Sequence, residues 1–305
     1  MVYGVFGLRV ASDLSLPLRP AEAGTGPADV TIEAAELPAW TQWDQEGPCW
    51  QARDGTLRFW LPDEFVMEVA AGGTHIRYHL EDGVSVDHLR PFILGSGLGV
   101  VLMQRGVLPL HAAAVVKDGR ALLLAGISGA GKSTTTWRLT QEGFASMADD
   151  VVALDVGSDG VTARPGMPFA RLWDDAVERL QARDAASQRV RPDMEKFLAP
   201  YEEAQRHDEE VPVAGIVILA PHGHGEVALE QAQGLASFRQ LRAHCYRRRL
   251  GEGLGLAPMQ FQQIQALLTQ VPVHVLRRPR DGDSLDDVVA ALGAHFDALA
   301  KRAAP

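Results

Sequence analysis

Gly126-Ile127-Ser128-Gly129-Ala130-Gly131-Lys132-Ser133, followed by Thr134, is the stretch on which the fold of this 305-residue chain turns. It fits G-x-x-x-x-G-K-[ST], a loop that wraps phosphate groups. Gly126, Gly129 and Gly131 let the backbone turn tightly with its amides facing inward, and Ser128, Ala130 and Thr134 complete the cradle. The positive end of the helix that follows adds a partial charge at the same place. Lys132 is placed to reach the β- and γ-phosphates of a nucleoside triphosphate, and the Ser133 hydroxyl to ligand Mg²⁺. Only four lysines occur in the chain, at 117, 132, 196 and 301. That scarcity holds the odds of a chance match to about a few in a thousand.

The flanks agree with the loop. An apolar strand over 121–125 runs into it, and a helix over about 132–142 leaves it. Further out, the patterns predict a strand at 110–116, a strand pair at 145–156, an amphipathic helix at 169–180 and a buried strand at 211–220. Residues 234–250 read as an arginine-rich helix, 258–268 as a helix, 271–276 as a strand and 284–300 as an amphipathic helix. Residues 181–210, the most polar region, read as a loop or mobile helical insert. Strands alternating with helices predict an α/β domain over 88–305 whose sheet is covered on both faces. Residues 1–87 read instead as a small β-rich domain of short alternating runs split by Gly, Pro and Asp turns. Four of the six tryptophans, Trp40, Trp43, Trp50 and Trp60, fall in it. They serve as sheet packing or, alternatively, as a peptide-binding surface. A helix over 87–105 would lead from the first domain into the second.

Composition narrows the function classes. A net charge of −10 argues against a nucleic-acid partner. Two cysteines, Cys49 and Cys245, support neither a disulfide scaffold nor a cysteine zinc site. Apolar runs such as 93–103 and 211–220 are shorter than the ~18–20 residues of a membrane span. The N-terminus lacks the pattern of a signal peptide. The expectation is a soluble, cytoplasmic protein without a membrane partner.

Phosphoryl transfer also needs a second metal ligand and a group that orients or deprotonates the nucleophile. Asp149 and Asp150 lie 17 and 18 residues beyond Lys132. Neighbours on a strand face opposite ways, so the pair can share one site only if the strand ends there. His111 heads the strand before the loop and, taken alone, reads as a structural histidine. Arg164 and Arg171 are candidates for a phosphate or substrate contact, or else helix-surface residues. Arg239, Arg242, His244, Arg247, Arg248 and Arg249 form a basic cluster, and Arg277-Arg278-Pro279-Arg280 reads as a surface loop.

Together, His111, GISGAGKST over 126–134 and Ala148-Asp149-Asp150-Val151 resemble the catalytic core of bacterial HPr kinase/phosphorylase, a P-loop kinase related in fold to the phosphoenolpyruvate carboxykinases. The resemblance implies ATP and Mg²⁺ as cofactors and makes His111 a site residue. It implies that Ser133 and Asp149 position the metal while Asp150 accepts the proton of the attacking hydroxyl, although the two aspartates are open to exchange. From the residues alone, Arg164, Arg242 and Arg247 are the candidates for substrate contact and charge stabilisation, with no choice among them. Thr134 departs from the glutamate usual in HPr kinases, and their later glycine-rich signature is not recognisable. The opening YGVFGLRVASDLSLPL over 3–18 and LPLHAAAVV over 108–116 resemble HPr-kinase-like proteins encoded with ribosomal peptide clusters, similar to lasso-peptide tailoring kinases. That implies a serine hydroxyl near the C-terminus of a precursor peptide, or of a small protein, as acceptor. A nucleotide-gated binding module and a small-metabolite kinase are the competing readings.

Overall fold

The computed structural model of the chain describes residues 1–21, 26–186, 188–221, 225–279 and 284–303. The chain divides into two compact units. The first comprises Met1–Pro109 with Arg189–Met194 and Tyr246–Gln260, and the second the remainder.

The first unit is built on a nine-stranded sheet in the order Arg19–Pro20, Val2–Val5, Leu8–Ser12, Val30–Ala34, His75–Leu80, Phe65–Val69, Thr56–Leu61, Trp50–Arg53, Gln45–Gly47. Alternate residues are buried along its middle strands, as period-two patterning requires, with Val10, Val30, Ile32, Met67, Val69 and Ile76 almost fully enclosed. A helical run follows: Val86–Phe92, a wider π turn Ile93–Gly97, then Leu98–Gln104. Ser85 caps it by accepting from the Asp87 amide at 3.2 Å. Phe92 packs its ring 5.0 Å from Phe65 and 5.6 Å from Phe59, and Leu89, Ile93, Leu98, Val101 and Leu102 are wholly buried. By length and composition Val86–Gln104 meets the measure of a membrane span that the shorter apolar runs did not reach, and 67% of its apolar window is buried within the protein.

The sequence boundary at 87/88 therefore differs from the boundary of the compact units at 109/110. The helix belongs with the sheet it covers. Two later excursions join it there as well. Arg191 pairs with Glu64 at 3.1 Å and lies over the Phe92 ring, while Gly253 leaves room for the Trp50 ring, which an added Cβ would meet at 2.3 Å.

In the second unit Arg120–Ala125 is a central strand. It pairs antiparallel with Ala112–Lys117, which pairs antiparallel with Ala145–Ala148. On its other side it runs parallel to Val211–Pro221, itself parallel to Val273–Arg278. Helices Lys132–Thr140 and Leu285–Ala303 pack on this sheet through Leu139, Val288, Leu292 and Phe296 against Val115, Leu122, Leu124 and Val217. This is a mixed α/β architecture, as the alternation of elements predicted.

Three predicted elements take another form. Residues 169–180 are not one helix but a strand, Phe169–Trp173, followed by the short helix Asp174–Arg179. The polar region 181–210 contains the strand Lys196–Pro200, paired antiparallel with Phe169–Trp173. The arginine-rich stretch breaks at residues 244–247 into Gly234–Ala243 and Arg248–Gly253, so Arg239, Arg242 and Arg249 do not share one helical face.

Candidate active site

The central strand ends at Ala125, and the chain turns through the glycine-rich loop into the helix beginning at Lys132. Gly131 has φ +92°, a left-handed conformation in which a side chain would be strained. Gly126 is also positive in φ, and a Cβ there would meet the Leu219 carbonyl at 3.0 Å. The loop is braced inside by the Ala130 amide donating to Ile127 O at 3.0 Å. Outside it, Arg278 Nη2 donates to Ala130 O at 3.2 Å. Lys132 is buried, and its ammonium donates to Gly126 O at 2.7 Å and Ile127 O at 3.3 Å.

Asp149 and Asp150 follow the strand Ala145–Ala148, which stops just before them. Asp150 adopts φ +73°, a turn that Asp tolerates better than bulkier residues. That turn lets two sequence neighbours serve one site. Asp149, 1% exposed, accepts from Ser133 Oγ at 2.9 Å and from the Arg171 amide at 2.8 Å. Arg171 Nη1 reaches Asp150 Oδ2 at 2.6 Å. One residue of the Phe169–Trp173 strand thus clamps both carboxylates.

His111 closes the group. Its Nδ1 lies 3.0 Å from the Asp150 carbonyl, which only accepts, so Nδ1 carries the proton. Nε2 then presents its lone pair to Lys132 Nζ at 3.1 Å. Burial and the Lys132 charge hold this imidazole below its ordinary range, so it is neutral at neutral pH. His244, whose carbonyl accepts from the His111 amide at 2.7 Å, is pushed down to about 4 by burial and by the nearby Lys132 and His111. Burial likewise lowers Lys132 and raises Asp149. Burial pushes Asp150 upward too, but Arg171, His111, Lys196 and Lys132 outweigh it, and its carboxyl lies below the usual value.

The candidate metal position is chemically coherent. Ser133 and Asp149 bring two oxygen atoms together, and a hard cation there would favour the ionised form of the Asp149 carboxyl, which burial alone disfavours. Mg²⁺ takes one or two carboxylates and completes its shell with water and phosphate oxygens. Among the described residues no group of three His, Cys, Asp or Glu side chains is placed to hold a metal.

Of the predicted site residues, His111, the 126–134 loop, Lys132, Ser133, Asp149 and Asp150 converge. Arg164 instead pairs with Asp155 at 2.5 Å and lies 3.8 Å from Glu210. Arg242 is exposed on the last turn of Gly234–Ala243. Arg247 belongs to the first unit, 5.8 Å over the Tyr246 ring. Arg278 lies on a strand at the phosphate loop rather than in a surface loop, and Arg280 falls outside the described residues. The residues that sequence reasoning did not assign are Arg278, Lys196 and the clamping role of Arg171. The scarcity of lysine was the one signal that marked Lys196.

These features define a mixed α/β protein with a glycine-rich loop, GISGAGKS over 126–133, between the end of a central strand and a helix. Among solved structures, the HPr(Ser) kinase/phosphatase from Coxiella burnetii is similar to this chain with a TM-score of 0.34 and 10% sequence identity, over 64% of this chain and 93% of that one. No family model and no curated protein sequence matches the chain.

Proposed function

We propose that this protein is an ATP-dependent kinase that phosphorylates a serine hydroxyl of a peptide or small protein. The observation that carries the reading is the convergence of Ser133–Asp149 and Lys132–His111–Asp150 around one phosphate-binding loop. A protein that only binds nucleotide needs the loop but not a second, arginine-clamped carboxylate beside it. The acceptor follows from the sequence resemblance to kinases of ribosomal peptide clusters, which favours a lasso-type precursor peptide phosphorylated near its C-terminus.

In this reading the loop amides and Lys132 bind the β- and γ-phosphates, the Lys132 ammonium exchanging its carbonyl partners for phosphate oxygens. Ser133 and Asp149 hold Mg²⁺, which when bound neutralises charge on the phosphates. The serine Oγ attacks the γ-phosphorus, the bond to the β-phosphate oxygen breaks, and ADP departs. Asp150 takes the hydroxyl proton. Its carboxyl is held ionised by Arg171, and it is a weak base. In a loose phosphoryl-transfer transition state, orienting the hydroxyl counts for more than base strength. Neutral His111 fixes the Asp150 backbone through Nδ1–H, leaving Nε2 to accept a hydrogen bond beside the reacting groups.

Two variants test this with labelled ATP, Mg²⁺ and serine peptides. Lys132→Ala should weaken nucleotide binding or turnover by at least about 100-fold; near-normal behaviour would remove the loop from the site. Asp150→Asn should keep nucleotide affinity within a few-fold and lose about 10²–10⁴ in transfer rate, the usual contribution of a general base. Turnover close to wild type would overturn the base assignment.

A further inference from the structure

The hairpin of Phe169–Trp173 and Lys196–Pro200 has two unlike faces. Its register sets Arg171 opposite Leu198 and Trp173 opposite Lys196. Ala170, Leu172 and Ala199 point to one side, into a cluster with Trp137, Val177 and Tyr201. Arg171 points to the other side, where its guanidinium grips Asp150. The next residues on that side are Trp173 and, directly across from it, Lys196. Trp173 is 42% exposed, and Lys196 Nζ lies 5.4 Å from its ring centroid. Among the described residues the Lys196 ammonium makes no hydrogen bond or ion pair. Its charge acts nevertheless on Asp149, Asp150 and Lys132.

The Lys196 ammonium stands over a half-exposed indole with no carboxylate paired to it among the described residues, while its charge is felt at Asp149 and Asp150. The phosphate side of the site already has its cations, Lys132 inside the loop and Arg278 against it. Trp173 and Lys196 lie instead one strand repeat beyond Arg171, about 7 Å along the hairpin, on the side of the proton acceptor. An extended peptide covers that span in about two residues.

We infer that Trp173 and Lys196 form the acceptor subsite and select a peptide that carries a carboxylate within two residues of the phosphorylated serine. The indole packs against the peptide and Lys196 pairs with the carboxylate. A side-chain carboxylate and a C-terminal one offer the same chemistry. The inference rests on the kinase reading above for the identity of the reacting hydroxyl.

Matched synthetic serine peptides test it, with Glu, Gln or Lys beside the serine, each made as free acid and as C-terminal amide. Phosphorylation with Mg-ATP and calorimetric binding in the presence of a non-hydrolysable ATP analogue are measured for wild type, Lys196→Gln, Lys196→Glu and Trp173→Ala. The wild type should favour carboxylate-bearing peptides by about 10-fold or more in kcat/KM, the worth of one partly buried charge pair. The Glu-amide and Gln-acid arms identify which carboxylate is read. Lys196→Gln should flatten the preference and Lys196→Glu reverse it toward the Lys peptide, with the KM for ATP within about two-fold. Trp173→Ala should raise the KM of every peptide. A carboxylate preference that survives in Lys196→Glu, or a change in the KM for ATP in place of that for peptide, overturns the inference. So does the absence of both binding and phosphorylation for every peptide. Phosphorylation without carboxylate preference refutes the subsite and leaves the kinase standing. Lys196-dependent binding without any phosphorylation supports the subsite and refutes the kinase.

Discussion

Arg278 holds the backbone of the glycine-rich loop through Ala130 O, and on the proposed reading that contact bears on phosphate binding. A peptide's C=O and N–H point in opposite directions, so holding Ala130 O toward the guanidinium turns the Gly131 N–H away from it, to the side on which the proposed function puts the phosphates. Arg278→Gln should weaken Mg-ATP binding by about 10-fold, in line with a charge-assisted hydrogen bond. Arg278→Lys, which keeps a donor, should recover part of the loss. Equal affinity for all three proteins, measured by calorimetry, would deny the residue this role. The convergence of Lys132 and Ser133 at one loop was legible because a contiguous motif carries both residues. The placement of Arg171, Lys196 and Arg278 near them was not, because it depends on strand register between segments far apart in the chain. Arg171 in particular sat in a stretch whose apolar residues suit a helix as well as a strand, and only the strand aims it at Asp150.

At the scale of elements, the helical run over the first sheet shows local propensity yielding to packing. Gly99 lies within Leu98–Gln104, where glycine ordinarily costs about 0.5–1 kcal/mol relative to alanine. Gly99→Ala should therefore stabilise the protein if the site were open. It is not: a Cβ at that position would lie 2.8 Å from Tyr246 Cδ1 and 3.0 Å from Cε1. Overpacking a buried ring costs about 1–3 kcal/mol, so the clash outweighs the propensity gain. Urea unfolding should show Gly99→Ala to be destabilised by about 1–2 kcal/mol, and a stabilised variant would mean that the ring moves aside freely. The same contacts account for what the sequence concealed. Periodicity marked a helix near 87–105, but only the packing of Phe92 on Phe59 and Phe65 assigns it to the first unit. The strand at Lys196–Pro200 was hidden because polar residues surround it and its partner strand resembled a helix.

At the scale of the whole molecule, acid stability sets two effects against each other. The chain carries a net charge of −10 at pH 7 and a pI of about 5.5. Acidification toward the pI relieves self-repulsion, which alone would favour the folded state. His244 acts in the opposite sense. Its imidazole is 6% exposed, and burial with the nearby Lys132 and His111 lowers its folded pKa from 6.5 to about 4. Between those values the unfolded chain binds the proton and the folded one does not. Stability contributed by the neutral imidazole is thus whole above about pH 6.5 and drains away as the pH falls toward 4. The loss amounts to about 3 kcal/mol by pH 4. His244→Gln removes the titrating group without introducing a charge. Its urea-unfolding free energy should start below that of the wild type at pH 7 and approach or overtake it as the pH falls. The change in the difference isolates the histidine from the carboxylates that both proteins share. Parallel pH profiles for the two proteins would show that His244 titrates in the folded state as it does in water, and that another group sets the acid limit.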